Sequence, residues 1–317
     1  MRILFAGTPA IAVPSLEALA RTHDVRAVLT GVDQPSGRGR RPEPTPVKES
    51  AAELGLPVIE AARIDAGVLE KVRALSAEVL VVVAFGKIFR KSFLEIFPRG
   101  GINLHPSLLP RHRGPSPMTA AILAGDTETG VSIQRLALKF DSGDVLTQKR
   151  IPLRGDETTG SLTDELAPLG AQMLEWVLSR MQADDIRGVP QHEDEATYCH
   201  LVKKEEGRIA WTEEAALIER KVRAYDPWPR ASTSWDGRSL LILKSKLHTD
   251  TLPPNHRALP GTVVGSSPTE GILVMTGKGI LAIQRLQLEF KNPTDWRPFL
   301  NGHPAMIGSR LGTGLGG

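Results

Sequence analysis

Asn103 and His105 lie two residues apart in Gly101-Ile-Asn-Leu-His-Pro106, an otherwise apolar stretch. A strand alternates its side chains between faces, so this spacing aims an amide and an imidazole at the same side. Pro106 then ends the run where side chains become accessible. The imidazole titrates near neutral pH and can move protons, while an amide N–H is the kind of donor that stabilises an oxyanion. Taken alone, an Asn-x-His at a strand end is more often a turn-forming amide beside a satisfied histidine. The surrounding residues shift that balance.

Ser107-Leu-Leu-Pro110 and Arg111-His-Arg-Gly-Pro-Ser-Pro117 form a proline-punctuated loop before the helix-like Met118 to Ala124, and a polar cluster, Phe140-Asp141-Ser-Gly-Asp144, lies downstream. A carboxylate there could charge and orient the histidine. An Asn-x-His, a Ser-Leu-Leu-Pro loop and a later Asp-x-Gly together resemble the folate-dependent formyltransferase family. The resemblance implies transfer of a formyl group from 10-formyltetrahydrofolate to an amine, with Asn103, His105 and Asp141 as the catalytic residues. It implies an oxyanion held by the Asn103 amide and by a protonated His105, whose pKa Asp141 raises. It also lays the folate along Ser107, Leu108, Leu109 and Pro110. The pterin then falls near Val83 to Ile88, which includes Phe85, Gly86 and Ile88, and near Leu138 to Asp141.

The elements that must position these residues follow an alternating pattern. Arg2 to Ala6, Val25 to Val32, Pro57 to Ile59 and Glu78 to Ala84 read as strands; the segment after Pro14, Val47 to Leu54 and Ala66 to Leu75 read as helices. Val-rich runs separated by amphipathic helices predict a Rossmann-like, mostly parallel α/β sheet covered on both faces. Such sheets bind ligands at the carboxyl ends of their strands, which places Gly7, Phe85-Gly86, Asn103 and His105 on one rim. A dinucleotide fingerprint is absent: Gly7-Thr8-Pro9 lacks its second and third glycines, Gly37-Arg-Gly39 sits in a loop, and the glycines from Gly312 onward have no strand before them. A strand over Val145 to Leu153 and a helix from about Ser161 to Met181 close the first domain.

Asp33 to Ser50 is an irregular excursion, because Pro35, Pro42, Pro44, Pro46, Gly37 and Gly39 oppose helix and strand, and Arg38, Arg40, Arg41 and Lys48 give it a basic crest. A solvated loop and a phosphate-binding arm both fit the residues. Pro35-Ser-Gly-Arg-Gly-Arg-Arg41 followed by Thr45-Pro-Val-Lys48 resembles the insertion that the tRNA-acting branch of the family places against the acceptor stem. The resemblance thus implies initiator Met-tRNA as the partner, its α-amine as the formyl acceptor, and Arg38, Arg40, Arg41 and Lys48 as its contacts. A sugar-nucleotide formyltransferase, the nearest rival, needs no such insertion.

Residues 190–206, rich in charge, read as a linker between a catalytic domain over 1–189 and a second domain over 207–317. Arg208 to Trp211, Ala231 to Trp235, Ser239 to Lys244, Gly261 to Val264, Gly271 to Thr276 and Gly279 to Gln287 predict a small, OB-like antiparallel β-barrel. Core packing is expected for Tyr225, Trp228 and Trp235 rather than base stacking. Glu205-Glu-Gly-Arg-Ile-Ala-Trp211 and Arg223-Ala-Tyr-Asp-Pro-Trp-Pro229 are similar to the family's C-terminal signatures, whereas Glu289-Phe-Lys-Asn-Pro-Thr-Asp295 is more acidic than expected there.

The 317 residues suffice for two buried cores, and 41% hydrophobic with 24% charged residues is ordinary for a globular chain. The net charge of +3 is uneven, with 24 Lys+Arg against 25 Asp+Glu up to Lys203 and 15 against 11 beyond it, too small an excess to imply a polyanionic partner by itself. The longest aliphatic run, Val79 to Phe85, is too short to span a bilayer, and Met1 leads straight into a strand without a leader, so a cytoplasmic protein without a membrane partner is expected. The single cysteine, Cys199, excludes internal disulfides. A monomer is expected. No metal site is expected, because the 8 histidines form neither an HExxH nor a Cys/His cluster.

Overall fold

The structure, a computed structural model, describes residues 1–36, 41–249 and 258–313. It divides into two compact units, the first comprising Met1–Met118, Glu128–Leu153 and Ser161–Leu201, and the second Thr119–Thr127, Arg154–Gly160 and the chain from Val202 onward.

The elements in chain order are β1 (Arg2–Gly7), α1 (Val13–Thr22), β2 (Asp24–Thr30), β3 (Gln34–Ser36), β4 (Arg41–Glu43), α2 (Pro46–Glu53), β5 (Val58–Glu60), α3 (Ala66–Ala74), β6 (Val79–Val83), α4 (Lys91–Leu94), β7 (Gly101–His105), α5 (Pro117–Ala124), β8 (Glu128–Arg135), β9 (Val145–Pro152) and α6 (Thr159–Gln182). The first unit's sheet runs β5-β2-β1-β6-β7-β8-β9, parallel as far as β7 and antiparallel from β7 to β9. The strand β8 has no counterpart in the sequence reading. Its Gly130-Val-Ser-Ile-Gln134 alternates small or polar with β-branched residues, the pattern of a strand whose two faces differ.

Register explains the rim. Gly7 is level with Val83, and Val83 with Leu104, so β1, β6 and β7 end together and deliver the turn after β6 and the His105 end of β7 to one edge. Below that edge the sheet is apolar. Leu80 and Val82 on β6 pack with Phe85, Phe89, Phe93 and Phe97, whose successive rings lie 5.4, 4.8 and 5.6 Å apart. Five consecutive buried aliphatics make β6 a strand with both faces covered, as its Val content favours. Helices α2 and α3 start on side-chain caps, with Thr45 accepting from Lys48 N at 3.2 Å and Asp65 from Val68 N at 3.1 Å.

The second unit carries α7 (Ala215–Ala224), β10 (Ala231–Trp235), β11 (Arg238–Leu247), β12 (Val263–Ser267), β13 (Gly271–Met275), β14 (Ile280–Leu288), β15 (Thr294–Asp295) and α8 (Trp296–Gly302). Its six strands form one antiparallel sheet, β10-β11-β14-β13-β12 with β15 on β14. Arg208 to Trp211, expected as a strand, makes only an isolated bridge from Arg208 to Ser232. Trp235 and Tyr225 are buried as expected, but Trp228 is 57% exposed. The difference follows from sequence position: Trp235 ends β10, whereas Trp228 sits between two prolines outside any strand or helix.

Phe93 is wholly buried between two other rings. Phe93→Ala should destabilise the first unit by about 3–5 kcal/mol, measured as a lowered urea midpoint.

Candidate active site

Asn103 and His105 lie at the carboxyl end of β7 on one face, both largely buried. Across the antiparallel pair, Asn103 faces Gln134 and His105 faces Ser132. Ser132 Oγ donates to Ser107 O at 2.6 Å and accepts from Leu109 N at 3.1 Å, so β8 holds the loop that follows β7. Gln134 and Ser132 were missed in the sequence, yet the alternation that singles out Asn103 and His105 recurs in Val131-Ser-Ile-Gln134.

The carboxylate arrives from the β8–β9 loop. Asp141 Oδ1 accepts from Gln134 Nε2 at 3.0 Å and from Asn103 Nδ2 at 3.3 Å; Oδ2 accepts from the Gly114 backbone N–H at 2.9 Å and lies 3.7 Å from His105 Nδ1. The structure therefore brings Asn103, His105 and Asp141 together. Asp141 itself has a left-handed backbone, φ 48°, a conformation that aspartate tolerates better than most residues. Gly143, the glycine of Asp-x-Gly, is obligatory for a steric reason: a Cβ there would sit 1.8 Å from the Arg135 carbonyl oxygen.

The state of His105 differs from the charged imidazole implied by resemblance. Its Nε2 lies 2.9 Å from the His112 carbonyl oxygen, which can only accept, so Nε2 carries a proton, and in the neutral ring the lone pair is then on Nδ1. Burial pushes the imidazole below its ordinary 6.5, and the opposing influences of Asp141 and of the His112 carbonyl do not restore it. At neutral pH the ring is a neutral base, and among the described residues no hydrogen bond occupies Nδ1, the 3.7 Å to Asp141 being too long for one. Among the described residues the Asn103 amide uses only one of its two N–H groups.

The residues expected at the folate sort into two groups. Ser107, Leu109 and Phe85 are buried, and Ser107 Oγ is committed to Arg111 O at 2.6 Å, so they shape the rim from beneath. Leu108 and Pro110 are half-buried, Gly86 turns with φ 73°, and Ile88 is 71% exposed. Leu138 and Phe140, just before Asp141 in the chain, are also exposed.

Of the residues expected at tRNA, Arg38 and Arg40 lie outside the described residues, and Arg41 is described through its backbone as the first residue of β4. Lys48 contacts Asp33 and Glu60, each at 2.8 Å, and these bonds raise its pKa. An ammonium held between two carboxylates anchors the base of the excursion rather than presenting a free charge.

Cys199 lies beside the site, its Sγ accepting from Ser116 N at 3.3 Å. Burial pushes the thiol up, as an inert cysteine requires. Residues 190–201, read as linker, instead pack within the first unit: Thr197 Oγ1 accepts from His112 N, and Cys199 N donates to Arg113 O, both at 2.8 Å. Among the described residues no three His, Cys, Asp or Glu side chains are grouped to hold a metal, and no helix is long and apolar enough to cross a membrane.

An α/β rim that brings an amide donor, an imidazole and a carboxylate within reach of one another has the groups that transfer at a carbonyl centre requires, an oxyanion donor and a supported base. Residues 1–178 match the family model "Formyl transferase" and residues 201–304 match "Formyl transferase, C-terminal domain", and the chain belongs to this family. It is 42% identical to a methionyl-tRNA formyltransferase of Treponema denticola over 97% of this chain and 98% of that one. It is 45% identical to one of Chloroflexus aggregans over 95% and 97%. Among solved structures, an N-formyltransferase from Helicobacter canadensis in complex with folinic acid and dTDP-3-aminofucose has a TM-score of 0.65 at 19% identity, covering 89% of this chain and 98% of that one, a likeness of fold.

Because the clash at Gly143 is with backbone, Gly143→Ala must displace the loop that carries Asp141. Turnover should fall by up to about 100-fold in a protein that still folds, measured by steady-state kinetics alongside circular dichroism.

Proposed function

We infer that the protein is a methionyl-tRNA formyltransferase, which transfers the formyl group of 10-formyltetrahydrofolate to the α-amine of initiator Met-tRNA for translation initiation. Near-full-length similarity to proteins of that name supports the substrate. The observation that carries the chemistry is the place of His105 Nδ1, 3.7 Å from Asp141 Oδ2 and on the same face as an Asn103 amide that gives one N–H to that carboxylate. Its setting is the cytoplasm, and we assign the activity to a monomer.

The neutral amine attacks the formyl carbon, and the formyl oxygen becomes an oxyanion that accepts the free N–H of Asn103. The amine must then lose a proton. His105 Nδ1 takes it, and the resulting imidazolium is stabilised by the carboxylate of Asp141. That proton passes to N10 of the folate as the C–N10 bond breaks, so tetrahydrofolate and formyl-Met-tRNA leave with charges balanced. Asp141 thus acts chiefly on the protonated ring formed during turnover. The pterin suits the exposed apolar side chains Ile88, Leu138 and Phe140, with Leu108 and Pro110 along the remainder. For tRNA, Arg38, Arg40 and Arg41 remain the arm's phosphate-binding residues, and Lys48 holds the arm's root.

The direct test is formylation of charged initiator Met-tRNA, with amino sugars left unmodified. Asn103→Ala should lower kcat about 100- to 1000-fold with tRNA binding retained, and His105→Ala at least as much. Activity should decline as pH falls through the depressed pKa of His105, below 6.5, because the base becomes protonated. Asp141→Asn removes an influence that raises this pKa, so the acid limb of the kcat profile should move to lower pH while turnover drops. A limb that stays fixed, or that moves upward, would contradict His105 as the base.

The arm is tested separately. Alanine at Arg38, Arg40 and Arg41 together should weaken tRNA binding and reduce the slope of log K against log salt by about one unit for each phosphate left without its arginine. Folate binding should be unchanged. An unaltered salt dependence would leave the arm without a role in tRNA binding.

A further inference from the structure

Gln191 lies in the segment read as linker, with nothing in the surrounding sequence to mark it. Its Nε2 lies 2.9 Å from Asp141 O, 2.7 Å from Gly143 O and 3.2 Å from Gln134 Oε1. Its Oε1 accepts from Arg113 Nε at 3.0 Å. The Arg113 guanidinium is fully buried and fixed in turn by Glu193 at 2.8 Å and by the Tyr198 hydroxyl at 3.0 Å.

These bonds have one possible polarity. A guanidinium can only donate, so the oxygen of Gln191 must face Arg113 and its NH2 must face inward. The NH2 of Gln191 then requires the oxygen of Gln134. That leaves the Gln134 NH2 toward Asp141, whose carboxylate can only accept. An uninterrupted chain therefore runs from Arg113 through Gln191 and Gln134 to the carboxylate beside His105. The Gln191 NH2 also holds the backbone carbonyls on either side of Ser142, in the stretch where Asp141 adopts its left-handed conformation. The main chain keeps the strap in place: Val189 and Val145 exchange hydrogen bonds at 2.9 Å, and Arg113 N donates to Thr197 O at 2.8 Å.

We propose that Gln191 is a positioning residue for formyl transfer, holding the Asp141 loop over His105 and fixing the orientation of the Gln134 amide that receives the Asp141 carboxylate. The proposal rests on the reading that Asp141 stabilises the His105 imidazolium. Gln191 touches neither substrate; it acts through Asp141. Without its donors the loop loses two of the bonds that hold its turn and the Gln134 amide is no longer fixed, so Asp141 shifts relative to the ring.

The experiment is a set of kcat–pH profiles on the full-length protein with Met-tRNA and 10-formyltetrahydrofolate. Gln191→Leu should lower kcat about 10- to 100-fold, the scale of a misplaced catalytic group, with both KM values within about twofold of wild type. Its acid limb should move to lower pH, in the same direction as for Asp141→Asn. Gln191→Glu keeps the acceptor toward Arg113, loses the donors and sets a carboxylate oxygen against the Asp141 and Gly143 carbonyls. It should match the loss in kcat at an unchanged unfolding temperature, which separates positioning from folding. In the Asp141→Asn background, adding Gln191→Leu should change kcat by no more than about twofold, because the residue through which it acts is already disabled.

Two results would overturn the inference: full losses that multiply in the double variant, or Gln191 variants with wild-type kcat and acid limb beside an impaired Asp141→Asn. An Asp141→Asn variant with full activity would instead remove the reading of the site on which the inference stands.

Discussion

A carboxylate beside an apolar sheet is unfavourable unless its oxygens are hydrogen-bonded, and the arrangement of the first unit follows from meeting that requirement at Asp141. Its side chain is 11% exposed, and leaving such a group without partners would cost several kcal/mol. Three donors answer it, from β7, from β8 and from the backbone of the loop after β7. Each comes from a different part of the chain, so the loop, the rim and the strand cannot move independently. Gly114 contributes to this closeness, since a Cβ there would meet the Cys199 carbonyl oxygen at 2.2 Å.

The same closeness decides the charge on His105. A neighbouring carboxylate favours the imidazolium, and burial disfavours it; here burial is the larger influence. The histidine waits neutral, with Nε2 tied to a backbone carbonyl and Nδ1 bare. Such a base is matched to a reaction in which an amine becomes acidic only after it has attacked. The carboxylate stabilises the cation when it forms, rather than maintaining it beforehand. There is a stability consequence with the same sign. The unfolded chain protonates His105 near 6.5 and the folded chain only at lower pH, so acidification through that window favours unfolding.

The segment between the family's two matched regions has a structural role that its composition conceals. Residues 190–201 look like a polar connector, and charge-rich stretches usually are solvated. In the fold they supply Gln191, Glu193, Thr197, Tyr198 and Cys199 to the two loops that frame the carboxylate. Arg113 accounts for three of the segment's polar side chains. A buried guanidinium needs carboxylate, amide and hydroxyl partners, and this stretch provides one of each.

Local pattern alone determined the parallel strands, their carboxyl-end rim, the shared face of Asn103 and His105, and the motifs that mark the family, because strand alternation and Val-rich periodicity are properties of neighbouring residues. The strand β8 was legible in principle, by the same alternation at Ser132 and Gln134. What the sequence could not determine depends on residues far apart in the chain meeting in space. The neutral state of His105 depends on burial by the whole fold and on the carbonyl of His112, which a sequence pattern does not aim. The commitment of Lys48 to Asp33 and Glu60 depends on β5 returning beside β2. The place of Gln191 depends on a strap that crosses two loops, where an amide in a polar stretch carries no periodic signal. Only tertiary structure decides which polar groups are deprived of water, and that deprivation sets their partners, their charge and their chemistry.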